Sequence, residues 1–138
     1  MTQHLNNMDK CGTILVVDDN PAIHTALKYA LENTFSEIIS LTQPDAILKT
    51  MAQQTVDVVL LDMNFTLGVN TGQDGLLWLR TIKKHHPQMP VVLLTAYADV
   101  QLAVKGLKSG AGDFIVKPWD NEELGYKLRE VLRKSTEV

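Results

Sequence analysis

The stretch Val56-Asp57-Val58-Val59-Leu60-Leu61-Asp62 constrains this chain more than any other. A nearly unbroken apolar run of strand length ends in a carboxylate. The residues that follow, 63–75, are too polar and Gly-rich to extend it. A strand apolar on both faces must be covered on both, so its sheet carries helices on either side. Its last residue then emerges at the carboxyl edge of the sheet, where open α/β folds gather their chemistry. Other strands should deliver their polar ends to the same edge.

The rest of the chain supplies those strands. Thr13-Ile14-Leu15-Val16-Val17 is a second buried run, ending in Asp18-Asp19. Asn20-Pro21 reads as N-cap and first helical residue, and Ile23, Ala26, Leu27, Ala30 and Leu31 form the apolar stripe of the helix they open. Residues 37–41 make a weaker strand, and Pro44 opens a helix with Ala46, Ile47 and Met51 inward. After the strand ending at Asp62, Thr71-x-x-Asp74 has the pattern of a capping box. The helix after it runs to about His86, with Leu76, Leu77, Leu79 and Ile82 as its apolar face. Residues 91–94 form a strand that ends in Thr95-Ala96. Asp99 caps a helix through Lys108, and Gly110 stops it. Residues 112–116 form the last strand, ending in Lys117-Pro118. Asp120-Asn121-Glu122-Glu123 starts the final helix, acidic at its positive end and basic at Arg133-Lys134.

Strands alternating with helices, joined by right-handed crossovers, give a doubly wound α/β fold with a five-stranded parallel sheet. The weak strand 37–41 belongs at an edge, which predicts the flavodoxin-like order 2-1-3-4-5. A chain of 138 residues suffices for one such domain. We expect it to occupy 13–134, with 1–12 as a flexible arm and 135–138 as a tail or the start of a linker to an output domain.

Composition narrows the function. A net charge of -3 gives no basic footprint for direct nucleic-acid binding. The apolar runs are strand-sized, too short to span a membrane. No secretory signal is visible, and the single cysteine, Cys11, cannot form an internal disulfide. A cytoplasmic protein is the expectation, with Cys11 chemically idle in a polar leader. His24, His85 and His86 do not suggest a metal site. His85 and His86 are adjacent at a helix end, where the dipole favours them.

The strand ends collect Asp18, Asp19, Asp62, Thr95 and Lys117 at one edge. Each alone has a structural explanation: a turn, a cap, a solvated lysine. Together they do not. Clustered carboxylates repel one another and force protonation, a conflict that a divalent cation removes. Oxygen ligands and a partly open shell favour Mg²⁺. A metal and a lysine beside a carboxylate suit phosphoryl transfer, with Asp62 as nucleophile forming an acyl phosphate and Thr95 offering a hydroxyl.

Asp18-Asp19, Leu61-Asp62, Thr95-Ala96 and Gly110-Ala111-Gly112-Asp113-Phe114-Ile115-Val116-Lys117-Pro118 resemble the receiver domain of bacterial two-component response regulators. The resemblance covers residues 13–134. It implies a phosphoprotein in which Asp62 takes phosphate from a sensor histidine kinase. Asp18, Asp19, Asp62 and the backbone carbonyl of Asn64 would hold Mg²⁺. Thr95 and Lys117 would contact the phosphoryl group, Phe114 would be the rotating switch aromatic, and the bond before Pro118 would be cis. Lys117-Pro118-Trp119-Asp120 and the helix after Thr95-Ala96-Tyr97 resemble receivers of AAA+ activators that depend on sigma-54, and so imply transcription regulation through an output domain. Two features depart from the pattern. The segment from Met63 to Asp74-Gly75 is longer than usual and lacks proline, and the switch position is Phe, not Tyr.

The expected signal runs from Asp62 through Thr95 and Phe114 to the helix 99–108, the last strand and the last helix, with a homodimer on phosphorylation by analogy. Asn64 and Tyr97, each two positions past a reactive residue, should flank the hydrolytic water and tune dephosphorylation. Trp119 should report metal or phosphate binding. The chain would not be a turnover enzyme. A haloacid-dehalogenase-type phosphatase would want a second Asp where Asn64 stands. A phosphorylation-independent interaction module would lack one of the five groups. A nucleotide-binding domain would need a Gly-rich turn or P-loop, and neither is present.

Overall fold

A computed structural model describes residues 10–64 and 73–136. Its sheet has five parallel strands, β1 (Thr13–Val17), β2 (Glu37–Leu41), β3 (Val58–Asp62), β4 (Val91–Ala96) and β5 (Asp113–Lys117), in the order β2-β1-β3-β4-β5. Five α-helices alternate with them among the described residues: α1 (Pro21–Leu31), α2 (Ile47–Gln53), α3 (Gln73–His85), α4 (Val100–Lys108) and α5 (Asn121–Thr136). The doubly wound architecture and the strand order are those expected from the sequence.

The strand pleat sorts the apolar runs onto two cores. Leu15, Val17, Val59, Leu61 and Leu93 face Ile47 and Met51 of α2, Leu76, Leu79 and Ile82 of α3, and Ala103 of α4. Ile14, Val16, Val58, Leu60, Val92 and Leu94 face Leu27 and Leu31 of α1 and Leu124, Leu128 and Val131 of α5. Alternate residues of one strand therefore serve opposite layers, which is why these strands lack a polar face. β2, paired only with β1, is the least buried of the edge strands.

Several local expectations need correction. The Pro44 segment is a 3₁₀ turn, Pro44–Ala46, before α2 begins. Ala26 and Leu77 were placed on apolar stripes, but both are exposed. Periodicity cannot rank residues at the margin of a stripe. β3 begins at Val58. Asp57 instead ties down the neighbouring strand, its carboxylate accepting the Thr13 amide at 2.8 Å. Cys11 and Gly12, expected in the arm, are bound to the domain: the Cys11 amide donates to the Thr34 carbonyl, and the Gly12 carbonyl accepts from Ser36. Arg129 Nη1 lies 3.4 Å from Cys11 Sγ. Asp74 falls in the first turn of α3, while Thr71, its partner in the capping pattern, and the rest of 65–72 lie outside the described residues.

α3 approaches the end of β3 at Gly75, whose amide donates to the Met63 carbonyl at 3.0 Å. A Cβ there would collide with the Met63 backbone, which cannot give way as a flexible side chain could. Gly75→Ala should therefore lower stability by about 1–3 kcal/mol, as overpacking does. Urea denaturation of the two proteins measures the difference.

Candidate functional site

The carboxyl edge of the sheet is where β1 and β3, adjacent and in register from Ile14 opposite Val58 to Val17 opposite Leu61, release Asp18 and Asp62. Both acids are buried, Asp62 4 % exposed and Asp18 fully shielded. Asp19 is half-buried. Carboxylate oxygens of Asp18, Asp19 and Asp62 all lie within 4.8 Å of one another. Lys117 reaches across from β5. Its Nζ donates to Asp62 Oδ1 at 3.0 Å and to Asp18 Oδ2 at 3.2 Å. The Lys117–Pro118 peptide is cis.

Asp18 is held at every polar atom. Its amide donates to the Leu41 carbonyl at 3.0 Å. Its Oδ1 accepts the Asn20 amide at 2.8 Å, its Oδ2 accepts Lys117, and its carbonyl lies 2.7 Å from His24 Nε2. Asn20 in turn caps α1, accepting from the Ala22 amide, with Pro21 at the first helical position. The acidic turn and the helix start are one structure.

The electrostatics follow from one cation among three acids. Burial, then the neighbouring Asp18 carboxylate, push the pKa of Asp62 up to about 6 despite the opposing pull of Lys117. Burial works against the charge on Lys117, but the Asp62 and Asp18 carboxylates outweigh it and hold its pKa above the usual lysine value. A buried acidic cluster with one cation and a half-exposed third carboxylate is a donor set for a hard divalent ion. The residues present fit such an ion.

Thr95 is fully buried near the end of β4, one residue past Leu94, the partner of Asp62 across the sheet. Its hydroxyl donates to the Ala96 carbonyl at 3.2 Å. Beyond it, the chain makes a 3₁₀ turn, Tyr97–Asp99, with Tyr97 83 % exposed. Asp99 stands at the N-cap of α4 but makes no capping bond. Its Oδ2 accepts instead from Asn64 Nδ2 at 3.0 Å, which corrects the expectation that it serves the helix. Phe114 is half-buried against the core. Lys127 of α5 lies over its ring, 5.5 Å from the centroid, and donates to its carbonyl at 3.0 Å. Sequence reasoning missed the Lys127 contact, the Asn64–Asp99 bond and the part played by His24. Only the placement of His24 in the first turns of α1, close after Asp18, hinted at a bond back to the acidic turn.

A shallow apolar groove of about 470 Å³ adjoins the acids, lined by Ile23, Ala26, Lys117, Pro118 and Trp119. Trp119 Nε1 donates to Asn121 Oδ1 at 2.9 Å.

Residues 14–129 match the family model described as the response regulator receiver domain. The chain belongs to the response regulator receiver domain family. It is 35 % identical over 112 residues to the DNA-binding transcriptional regulator NtrC of Salmonella typhimurium, covering 81 % of this chain and 23 % of that protein. It is 32 % identical over 126 residues to the regulatory protein AtoC of Escherichia coli, covering 91 % of this chain and 26 % of that protein. The chain thus spans about a quarter of the length of these curated relatives. The N-terminal signal receiver domain of a two-component response regulator from Bacteroides fragilis superposes with a TM-score of 0.81 at 46 % identity, over 89 % of this chain and 98 % of that one. Receiver domains of this family are signalling domains. No helix among the described residues is long and apolar enough to cross a membrane.

The raised pKa of Asp62 has a thermodynamic consequence in metal-free protein. Between pH 3.8 and about 6 the folded receiver keeps a proton that the unfolded chain releases. Asp62 therefore opposes folding increasingly as pH rises through that window. Asp62→Asn should stabilise the metal-free protein at pH 7.5 by about 1–3 kcal/mol, given about 1.4 kcal/mol per pKa unit less the lost bond to Lys117. The gain should shrink toward zero at pH 4. Urea denaturation in EDTA at both values checks the size and the sign.

Proposed function

We propose that Asp62 accepts a phosphoryl group from the phosphohistidine of a sensor histidine kinase. The observation that carries this reading is the single lysine bound to two buried carboxylates at the meeting point of β1, β3 and β5. In the transfer the N–P bond of the donor breaks, one Asp62 oxygen forms the new O–P bond, and the imidazole keeps the electron pair. Asp18, Asp19, Asp62 and the Asn64 carbonyl are the residues that would hold Mg²⁺. Bound there, the ion would offset charge on the phosphoryl oxygens. Lys117 stands ready to turn from Asp62 toward those oxygens, and Thr95 can add a hydroxyl bond. The apolar groove at Ile23, Ala26, Pro118 and Trp119 offers a donor protein a seat beside the acids. Asn64 and Tyr97 flank the approach to Asp62 and tune the lifetime of the acyl phosphate.

The output follows from the loop after β4. Thr95 exchanges its bond to Ala96 for one to the phosphoryl group, the 97–99 turn shifts, and Phe114 turns inward. Exposed Val104 and Leu107 on α4 and Tyr126 on α5 mark the face that changes. That face would control an output domain, of AAA+ or another type, directly or through a homodimer. The relatives' greater length and their names support a receiver unit within a longer transcriptional regulator, which we place in the cytoplasm with the receiver at about 13–134. In it, residues 1–10 would be an arm that ends where Cys11 and Gly12 bond to the domain, and the chain after α5 would lead into the linker. No direct contact with nucleic acid or membrane is assigned to this unit.

Incubation with acetyl phosphate and Mg²⁺ should add one alkali-labile phosphoryl group per chain, absent in Asp62→Asn or with EDTA. Intact mass measures it. Repeated turnover of the donor would indicate a phosphatase, and no labelling an interaction module. Thr95→Ala should still be labelled but should lose any phosphorylation-dependent dimerisation seen by sedimentation. Normal dimerisation of that variant would break the proposed link.

A further inference from the structure

We propose that His24 is a positioning residue for Asp19, fixing the acidic pair in the arrangement that takes a divalent cation. This rests on the phosphoacceptor reading above and adds to it a residue that neither donates a ligand atom nor meets the phosphoryl group.

The argument starts from the Asp18–Asp19 peptide. Its carbonyl oxygen belongs to Asp18 and lies 2.7 Å from His24 Nε2. A carbonyl only accepts, so Nε2 carries the proton and donates. The peptide is planar, so pinning that oxygen also fixes the plane from which the Asp19 Cα departs. The side chain of Asp18 is already committed to the Asn20 amide and to Lys117. Asp19 enters none of these bonds. Its direction depends on the peptide plane before it, and the His24 bond is what holds that plane on the helix side.

The setting of the ring fits this role. His24 sits in the early turns of α1, which Asn20 and Pro21 lock to the acidic turn. Its Nδ1 is buried with no partner among the described residues. A buried polar nitrogen without a partner is costly, and an apolar residue at this position on α1 would avoid that cost. What the imidazole supplies in return is the bond to the Asp18 carbonyl.

The test uses two amides. A Gln side chain places its NH₂ near the Nε2 position of a histidine; an Asn side chain is too short and places it near Nδ1. Mg²⁺ alone is titrated into wild type, His24→Gln and His24→Asn, following the backbone amide shifts of Asp18 and Asp19. Imidazole ¹⁵N spectra of the metal-free wild type should show the proton on Nε2. His24→Asn should raise the half-saturating Mg²⁺ concentration about three- to tenfold, the worth of one hydrogen bond. His24→Gln should return it to within about twofold. Labelling by acetyl phosphate at saturating Mg²⁺ should stay within about twofold in both, because the groups that meet the phosphoryl remain. Equal Mg²⁺ affinity in wild type and His24→Asn, or equal weakening in both variants, overturns the assignment. So does a ring whose Nε2 carries no proton. A wild type that shows no Mg²⁺ response overturns the acceptor reading as well, whereas failure confined to the variants overturns only the role of His24.

Discussion

One ammonium group held between two buried carboxylates is the constraint around which this receiver is arranged. Lys117 meets Asp62 at 3.0 Å and Asp18 at 3.2 Å, and both acids are almost wholly shielded from water. A buried charge without a partner is among the most destabilising features a fold can carry. The three strands that bring these side chains together must therefore end in register. They do so because β1, β3, β4 and β5 pair in parallel and finish at one edge. Even so, burial and the neighbouring Asp18 carboxylate hold the pKa of Asp62 up at about 6. Stability is given up at the edge of the sheet, and the two apolar layers beneath it hold the fold against that loss.

The residues proposed to respond to the site are bound much less firmly than those that build it. Asp18 is bonded at each of its polar atoms. The segment after β4, by contrast, is tied to the site by the Asn64–Asp99 bond, while the Thr95 hydroxyl turns back on its own chain. Asp99 has two uses available. It now accepts from Asn64, and from the same position it could cap the amides of α4, a bond it does not make. Capping is worth about 1 kcal/mol, comparable with the side-chain bond it would replace. A segment whose alternatives are so closely balanced is suited to being shifted by a local charge.

Much of this was legible in the sequence because the strong signals were of one kind. An apolar run ended by a polar residue identifies a buried strand and the edge at which it stops. The rich runs ending at Val17, Asp62, Ala96 and Lys117, with the weak run 37–41 set at an edge, pointed to the strand order, and the structure gathers Asp18, Asp19, Asp62 and Lys117 at the shared edge. What stayed hidden depends on side chains choosing between partners. Asp99 before a helix reads as a cap, and nothing local reveals that Asn64, distant in sequence, competes for it. His24 was judged as a metal ligand and set aside, because its partner is a backbone carbonyl, which has no residue type to recognise. Ala26 and Leu77 lie at the margins of helical stripes, where the angular pattern is satisfied whether or not a neighbour covers them.

The Phe at position 114 can be understood in the same terms. A tyrosine could fix its position through a hydroxyl, but phenylalanine has only its ring and its backbone. Lys127 uses both, lying over the ring and donating to the carbonyl, while its ammonium also stands 3.8 Å from Asp113 and from Glu123. These carboxylates are partly solvated, and such pairs contribute little. A cation over an aromatic face at a partly exposed site adds about 0.5–1 kcal/mol. The hold on Phe114 is therefore weak, and weaker than the buried contacts of Lys117. On the proposed reading, a phosphoryl group arriving at Asp62 would act first on the strongly held cation and only then on the weakly held ring. That ordering of strengths, strong where the charge would arrive and weak where the proposed surface would change, is what such a reading of one covalent event on α4 and α5 would need.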